Sequence, residues 1–225
     1  MLKLELEISP KYDVAIGSSV RIKGGKKICG DTHSFCKVDN DKFMVTICDG
    51  MGSGEGAKNI SSLTSSLIGY FYKAGFDNDV ILSSINKLLS YSEYDNYSTM
   101  DLCVIDTKKN YYDFIKLGAC NGYLKRENGA MEIIESNNLP IGILEDIRPH
   151  ITHKIISPMD MLILVSDGVY DAFANDINFV DFVSTIDIIN PQTLSDAIMD
   201  KALSFSDGVP YDDMTVLCVR VFERI

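Results

Sequence analysis

The sequence predicts an α/β (α+β) sandwich of largely antiparallel sheets, on three observations. Short apolar, β-branched runs recur along the chain, joined by tight polar turns. Two helical stretches interrupt them after Gly54, and two more precede a closing strand. No repeat or low-complexity linker divides the 225 residues. That suits one domain over residues 1–225, with 1–11 as an N-terminal strand or extension.

Leu2–Ile8 alternates apolar and charged residues and reads as a half-buried strand. Tyr12–Arg21 is the next strand, closed by Gly24-Gly25. Asp31 then precedes a short strand, and the turn Asp39-Asn40-Asp41 returns the chain into Phe43–Cys48. An antiparallel hairpin of this kind would set Asp31 near Asp49. Gly50, Gly52 and Gly54 follow, bringing the backbone close to whatever sits there, and Glu55–Ala74 begins a helix. Its apolar face is Ile60, Leu63, Leu67, Phe71 and Ala74, and its Ser- and Asn-rich face carries Lys58. A second helix presents Val80, Ile81, Ile85, Leu88 and Leu89. The two are expected to pack on one face of a sheet.

Strands return with the hairpins Thr99–Asp106/Tyr111–Leu117 and Gly122–Arg126/Met131–Glu135, the latter around Asn128-Gly129. Asn138–Ile143 is a constrained loop. Ile151–Ile156 and Met161–Val165 are expected to form a further strand pair around Ser157–Asp160. Ser166-Asp167-Gly168 repeats the earlier pattern of buried strand, Asp, Gly, then a helix-like stretch. Helices are predicted over Phe179–Ile188 and Pro191–Phe205, before a last strand, Val216–Val221, that follows Asp212-Asp213.

Composition removes several function classes. A net charge of −11 without a Lys/Arg cluster interleaved with aromatics argues against nucleic-acid binding. No apolar run approaches the roughly 18–20 residues that span a bilayer, and no signal peptide opens the chain. The six cysteines lack CxxC spacing and several lie in apolar runs, as expected of core residues in a reducing cytoplasm.

Asp31, Asp49, Asp167 and Asp212 each sit at a strand end. A lone Asp-Gly there is ordinary turn chemistry. Four that converge would repel one another unless a cation neutralised them. The absence of a His or Cys cluster points away from zinc and toward magnesium or manganese, which take oxygen ligands. His33 is the nearest imidazole and reads more readily as a surface or supporting residue than as a ligand. Two such ions about 3.5–4 Å apart activate water for in-line attack on phosphate. No Cys-x5-Arg loop, GxSxG elbow or P-loop supplies another nucleophile or phosphate cradle.

Gly30-Asp31, Cys48-Asp49-Gly50-Met51-Gly52, Ser166-Asp167-Gly168 and Asp212-Asp213-Met214-Thr215 resemble, in order, the metal motifs of PPM (PP2C-type) serine/threonine phosphatases. The catalytic domain of the bacterial stage II sporulation protein E group is closer still, through Tyr97–Leu102, Lys116-Leu117-Gly118 and Asn138–Ile143. The resemblance implies an αββα sandwich with a helix pair on each outer side, holding two Mn2+ or Mg2+ ions. It implies that Asp49 bridges both ions and that Asp31 and the Gly50 carbonyl serve one. Asp167 and Asp212 serve the other, and Asp213 stands behind the ligands. Asp49 and Asp167 are then catalytic through metal-bound water. The implied substrate is a phosphoserine on an anti-anti-sigma factor of the STAS type, in sporulation or stress sigma-factor control. The Glu55–Ala74 and Asn78–Ser92 helices are the implied switch.

Gly30 replaces the Glu of many eukaryotic relatives, and the phosphate-gripping arginine has no clear counterpart; bacterial members share both traits. The sporulation protein's membrane segment has no counterpart here, so the chain is expected to be either an excised domain or a soluble relative, with a cytoplasmic location, and homodimerisation is left open. The competing reading is a catalytically silent PPM module that senses or scaffolds. A calcium-stabilised fold is weaker, because no Asp-x-Asp-x-Asp-Gly loop is present.

Overall fold

A computed structural model describes residues 10–91, 97–147 and 150–224. The Leu2–Ile8 strand expected from its alternation lies outside them. In chain order the strands and helices are β1 (Tyr12–Arg21), β2 (Asp31–Lys37), β3 (Lys42–Asp49), α1 (Glu55–Lys73), α2 (Asn78–Ser90), β4 (Met100–Asp106), β5 (Tyr111–Leu117) and β6 (Gly122–Lys125). They continue with β7 (Met131–Ile134), β8 (Ile151–Ile155), β9 (Met161–Val165), α3 (Asp167–Phe173), α4 (Asp176–Ser184), α5 (Pro191–Ser204) and β10 (Met214–Glu223).

Two five-stranded antiparallel sheets form, β1-β10-β9-β6-β7 and β2-β3-β4-β5-β8. Their facing sides bury Val45, Ile47, Cys103, Ile105, Phe114, Leu162, Leu164, Leu217 and Val219 in one shared core. Helices α1 and α2 cover the second sheet, over Met44, Cys48, Leu102 and Val104. Three helices, α3 to α5, cover the first, over Ile163, Val165, Val216 and Cys218. Alternate residues of β3, β4, β9 and β10 thus serve two cores, which is why these strands read as unbroken apolar runs.

Three expectations need correction. Ile151–Ile155 and Met161–Val165 are not partners: β8 pairs with β5 and β9 pairs with β10 and β6, in different sheets. All of β9 is buried, so it needs neighbours on both edges, whereas β8 is a half-exposed edge strand with Ile155 74% exposed. The Ser157–Asp160 turn therefore crosses from one sheet to the other.

The inward face of α1 is not the predicted stripe. Ala57, Ser61, Thr64, Ser65, Ile68 and Tyr72 are buried, while Leu63 is 45% exposed and Ile60, Leu67 and Phe71 are only partly covered. Small hydroxyl residues let the helix lie close to β2, and their polar atoms are paired. Ser61 donates to the Gly30 carbonyl at 2.6 Å and shares a 2.7 Å bond with Thr32, and Ser65 donates to Ser34 at 3.0 Å. Hydrogen bonding removes the cost of burying these groups.

On the other side, α4 runs over Asp176–Ser184 and not Phe179–Ile188. The Asn175 side chain accepts the Asn178 N–H and caps it earlier.

Candidate metal centre

The carboxylates gather at one end of the sandwich. The β2–β3 register sets Asp31 directly opposite Asp49. Strand β9 ends beside them and passes into α3, whose first residue is Asp167. Asp212 and Asp213 immediately precede β10, and the Ser166 N–H donates to the Thr215 carbonyl at 3.0 Å across the β9–β10 junction.

Each carboxylate has its own support. Asp49 is half-buried, and its N–H donates to the Thr99 hydroxyl at 3.1 Å. Its carbonyl accepts from Thr99 N–H and the Ser98 hydroxyl, both at 2.8 Å. Asp31 is 4% exposed and accepts the Thr215 hydroxyl at 2.6 Å. Asp167 is exposed and accepts its neighbour Gly168 N–H at 2.7 Å. Asp212 is exposed and pairs with Lys23 at 3.3 Å. Asp213 is buried and turned toward the 23–30 loop, accepting Lys23 N–H at 2.8 Å and Gly30 N–H at 2.6 Å.

The glycines after Asp49 and Asp167 have a steric reason. A Cβ on Gly50 would lie 2.0 Å from the Ala57 carbonyl oxygen, and one on Gly168 would lie 2.3 Å from that of Asp213. In both Asp-Gly pairs another segment presses on the backbone just behind the carboxylate.

The cluster is electrostatically uncomfortable on its own. Burial, then the charges of Asp31, Asp167, Asp212 and Asp213, push the Asp49 carboxyl up to about 8. Burial pushes Asp31 up to about 6, against the pull of the Thr215 and Ser166 hydroxyls and with the charges of Asp167 and Asp213 adding to it. Asp167 reaches solvent on one side but is raised too, by desolvation against the protein packed on the other, while the Gly168 N–H counteracts it and the Asp212, Asp171 and Asp213 charges add to it. A divalent cation would remove this repulsion, and the available donors are oxygens.

Among the described residues no three carboxylate, imidazole or thiol groups are drawn tightly enough to enclose an ion unaided. A cation here would keep several waters, as magnesium and manganese do. On donor chemistry and charge the residues fit such ions. His33 stands farther along β2, opposite Ile47, where burial and Lys58 hold its imidazole below the usual range.

The supporting roles of several residues were not legible in the sequence, although Lys58 and Thr215 stood in stretches already singled out. Lys58 donates to the Asp31 carbonyl at 2.8 Å and to Thr32 at 3.0 Å, tying the first turns of α1 to β2. Ser61 ties α1 to Gly30 and Thr32, Lys23 pairs with Asp212, and Thr215 holds the Asp31 carboxylate. The Arg21–Lys27 stretch, with four cations in a chain of net charge −11, was a signal for Lys23. Nothing in the pattern marked Ser61.

This arrangement of facing antiparallel sheets, outer helices and carboxylates at one end is that of a PP2C-type phosphatase domain. It superposes on the PP2C phosphatase domain and regulatory-domain fragment of the cell fate determinant SpoIIE from Bacillus subtilis with a TM-score of 0.89. That match has 29% identity and covers 96% of this chain and 65% of that one. Residues 39–222 match the family model described as stage II sporulation protein E (SpoIIE), and the chain belongs to that family. It is 31% identical to stage II sporulation protein E of Priestia megaterium over 215 residues, covering 93% of this chain and 37% of the relative. The chain thus spans just over a third of that protein's length. It is also 22% identical to the phosphoserine phosphatase RsbU of Bacillus subtilis (strain 168), over 87% of this chain and 60% of the relative. No helix among the described residues is long and apolar enough to cross a membrane.

Proposed function

We propose that this chain is a metal-dependent protein serine/threonine phosphatase that hydrolyses phosphoserine on a STAS-type anti-anti-sigma factor. The observation that carries the reading is the convergence of Asp31, Asp49, Asp167 and Asp212, with the Asp49 carboxyl raised to about 8 by burial and its neighbours. Asp49, Asp31 and the Gly50 carbonyl would hold one manganese or magnesium ion, and Asp49, Asp167 and Asp212 the other. When bound, such ions neutralise the carboxylates, lower the pKa of water and polarise phosphate oxygens.

The protein's own groups supply placement. Thr99 and Ser98 fix the Asp49 backbone, Thr215 fixes one Asp31 oxygen, and Asp213 clamps the loop that carries Lys23 and Gly30. Asp167 and Asp212 stand at the open side, where a phosphoprotein could approach. The likeness to the sporulation protein and to RsbU supports the substrate class.

A catalytically silent sensor or scaffold is the second reading. The observation on its side is that no three ligating side chains among the described residues close around one point.

The test is manganese-dependent hydrolysis of p-nitrophenyl phosphate and of phosphorylated STAS proteins, beside Asp49→Asn and Asp167→Asn. Both variants lose more than about 100-fold in kcat/KM, since removing a ligand should exceed the 10–100-fold cost of removing a ligand's support. Turnover unchanged in both would sink the two-ion assignment. Manganese-independent inactivity of the parent chain toward every phosphoprotein, with the fold intact, would favour the silent module.

A further inference from the structure

Beneath the carboxylate cluster lies a buried ion pair that the phosphatase reading does not use. Asp101 and Lys116 are cross-strand partners in β4 and β5, 1% and 3% exposed, with the Lys116 ammonium donating to Asp101 Oδ2. By strand alternation they share the inter-sheet face with Cys103 and Phe114, at the end of that core layer nearest the carboxylates. On the facing sheet Gly122 leaves room for the ammonium: a Cβ there would sit 3.2 Å from Lys116 Nζ. The other oxygen, Asp101 Oδ1, is buried and accepts no hydrogen bond from the described residues.

Asp101 is also part of the wall of a cavity of about 30 Å³ whose other walls include Asp49, Thr99, Cys120, Ser166 and Asp167. That is room for about one or two waters, with polar groups on several sides. A buried ion pair is seldom kept for stability, because well-packed apolar residues usually serve as well or better. Yet this one has an unpartnered buried oxygen, on a residue that lines a polar cavity together with two proposed metal ligands.

We propose that Asp101 and Lys116 are positioning residues of the metal centre. Lys116 fixes Asp101, and Asp101 Oδ1 anchors a cavity water whose remaining hydrogen bonds orient Asp49 and Asp167. The inference rests on the phosphatase reading and adds residues that touch neither substrate nor ion.

Two variants test it, with manganese affinity measured by calorimetry without substrate, beside the melting temperature and kcat and KM for p-nitrophenyl phosphate. Asp101→Asn keeps the shape and turns a cavity acceptor into a donor. Asp101→Leu with Lys116→Met removes both charges at once and leaves neither unpaired. The double variant should melt near the parent temperature and Asp101→Asn below it, because the latter leaves the buried Lys116 ammonium without its anion. Both, once folded, should bind manganese about 10- to 100-fold more weakly and lose kcat with little change in KM. Parental affinity and kcat in either folded variant would overturn the proposal. A parent chain with neither manganese uptake nor turnover overturns the phosphatase reading itself, and this proposal with it. Either variant decides alone if the other does not fold.

Discussion

Asp49 shows how one residue can be poised by its neighbours. In the folded, metal-free protein its carboxyl keeps a proton up to about pH 8, whereas an unfolded chain releases it near 3.8. Between those values the folded state binds more protons, so its stability falls as pH rises through the window. Asp31, raised to about 6, adds to the lower part of that fall. Melting curves of chelator-treated protein should therefore shift down from about pH 4 to about pH 8 through these groups. Saturating manganese should flatten the shift, and manganese affinity should climb with pH because the ion displaces the protons. A metal-free melting temperature that rises steadily from pH 5 to 8 would contradict this account. Gly50 gives a second residue-level test. Gly50→Ala must push the first turns of α1 away, costing about 1–3 kcal/mol by overpacking, read as a lower urea midpoint. The Asp-Gly pattern was visible in the sequence. The atom pressing on Gly50, seven residues later in the chain, was not.

Helix α1 carries the lesson at the scale of elements. Its apolar spacing located the helix within a residue at its C-terminal end, yet pointed to the wrong face. Hydrophobic periodicity assumes that burial goes to apolar residues. Here close approach to β2 favours Ser61, Thr64 and Ser65, whose hydroxyls find partners on Gly30, Ser34 and the Ile60 carbonyl. Ser61→Leu, apolar though it is, should wedge the helix from β2 and break the bond to Gly30, costing about 1–3 kcal/mol. Leu63→Ser on the exposed side should change stability by no more than about 0.5 kcal/mol. Chemical denaturation of the two variants separates the faces, and the opposite ranking would restore the sequence-based stripe. The same hydroxyl contacts, with Lys58 on the Asp31 carbonyl, place α1 in direct touch with the strand that bears a proposed ligand.

Across the whole molecule, the two ends of the sandwich divide the work. Strand β9 runs between Asp160 at one end and Asp167 at the other. At the Asp160 end the chain crosses between sheets, and the buried carboxylate is held by Arg126 at 2.6 Å, Ser157 N–H at 2.8 Å and Tyr112 at 3.3 Å. Removing Arg126 strands that anion. Arg126→Met is expected to cost about 3–5 kcal/mol in denaturant unfolding, while manganese affinity and kcat of the folded fraction stay at parental values. A loss of manganese affinity without loss of stability would show that the ends are not independent.

Within the described residues the sequence by itself determined the strands to within a residue or two, the two hairpins beyond the helices, and the four aspartates at strand ends. These are local matters: side-chain period, turn chemistry and residue type decide them within a few positions. Tertiary structure alone decided which sheet β8 and β9 joined, which face of α1 turned inward, and how the carboxylates at one end were supported. Sheet choice depends on pairing between distant segments, so the apolar run of Met161–Val165 announced a buried strand without naming its neighbours. Asp101 and Lys116 looked like members of two motif segments. The β4–β5 hairpin makes them a pair, and only the facing sheet, with Gly122 and the small cavity between, sets that pair beneath Asp49 and Asp167.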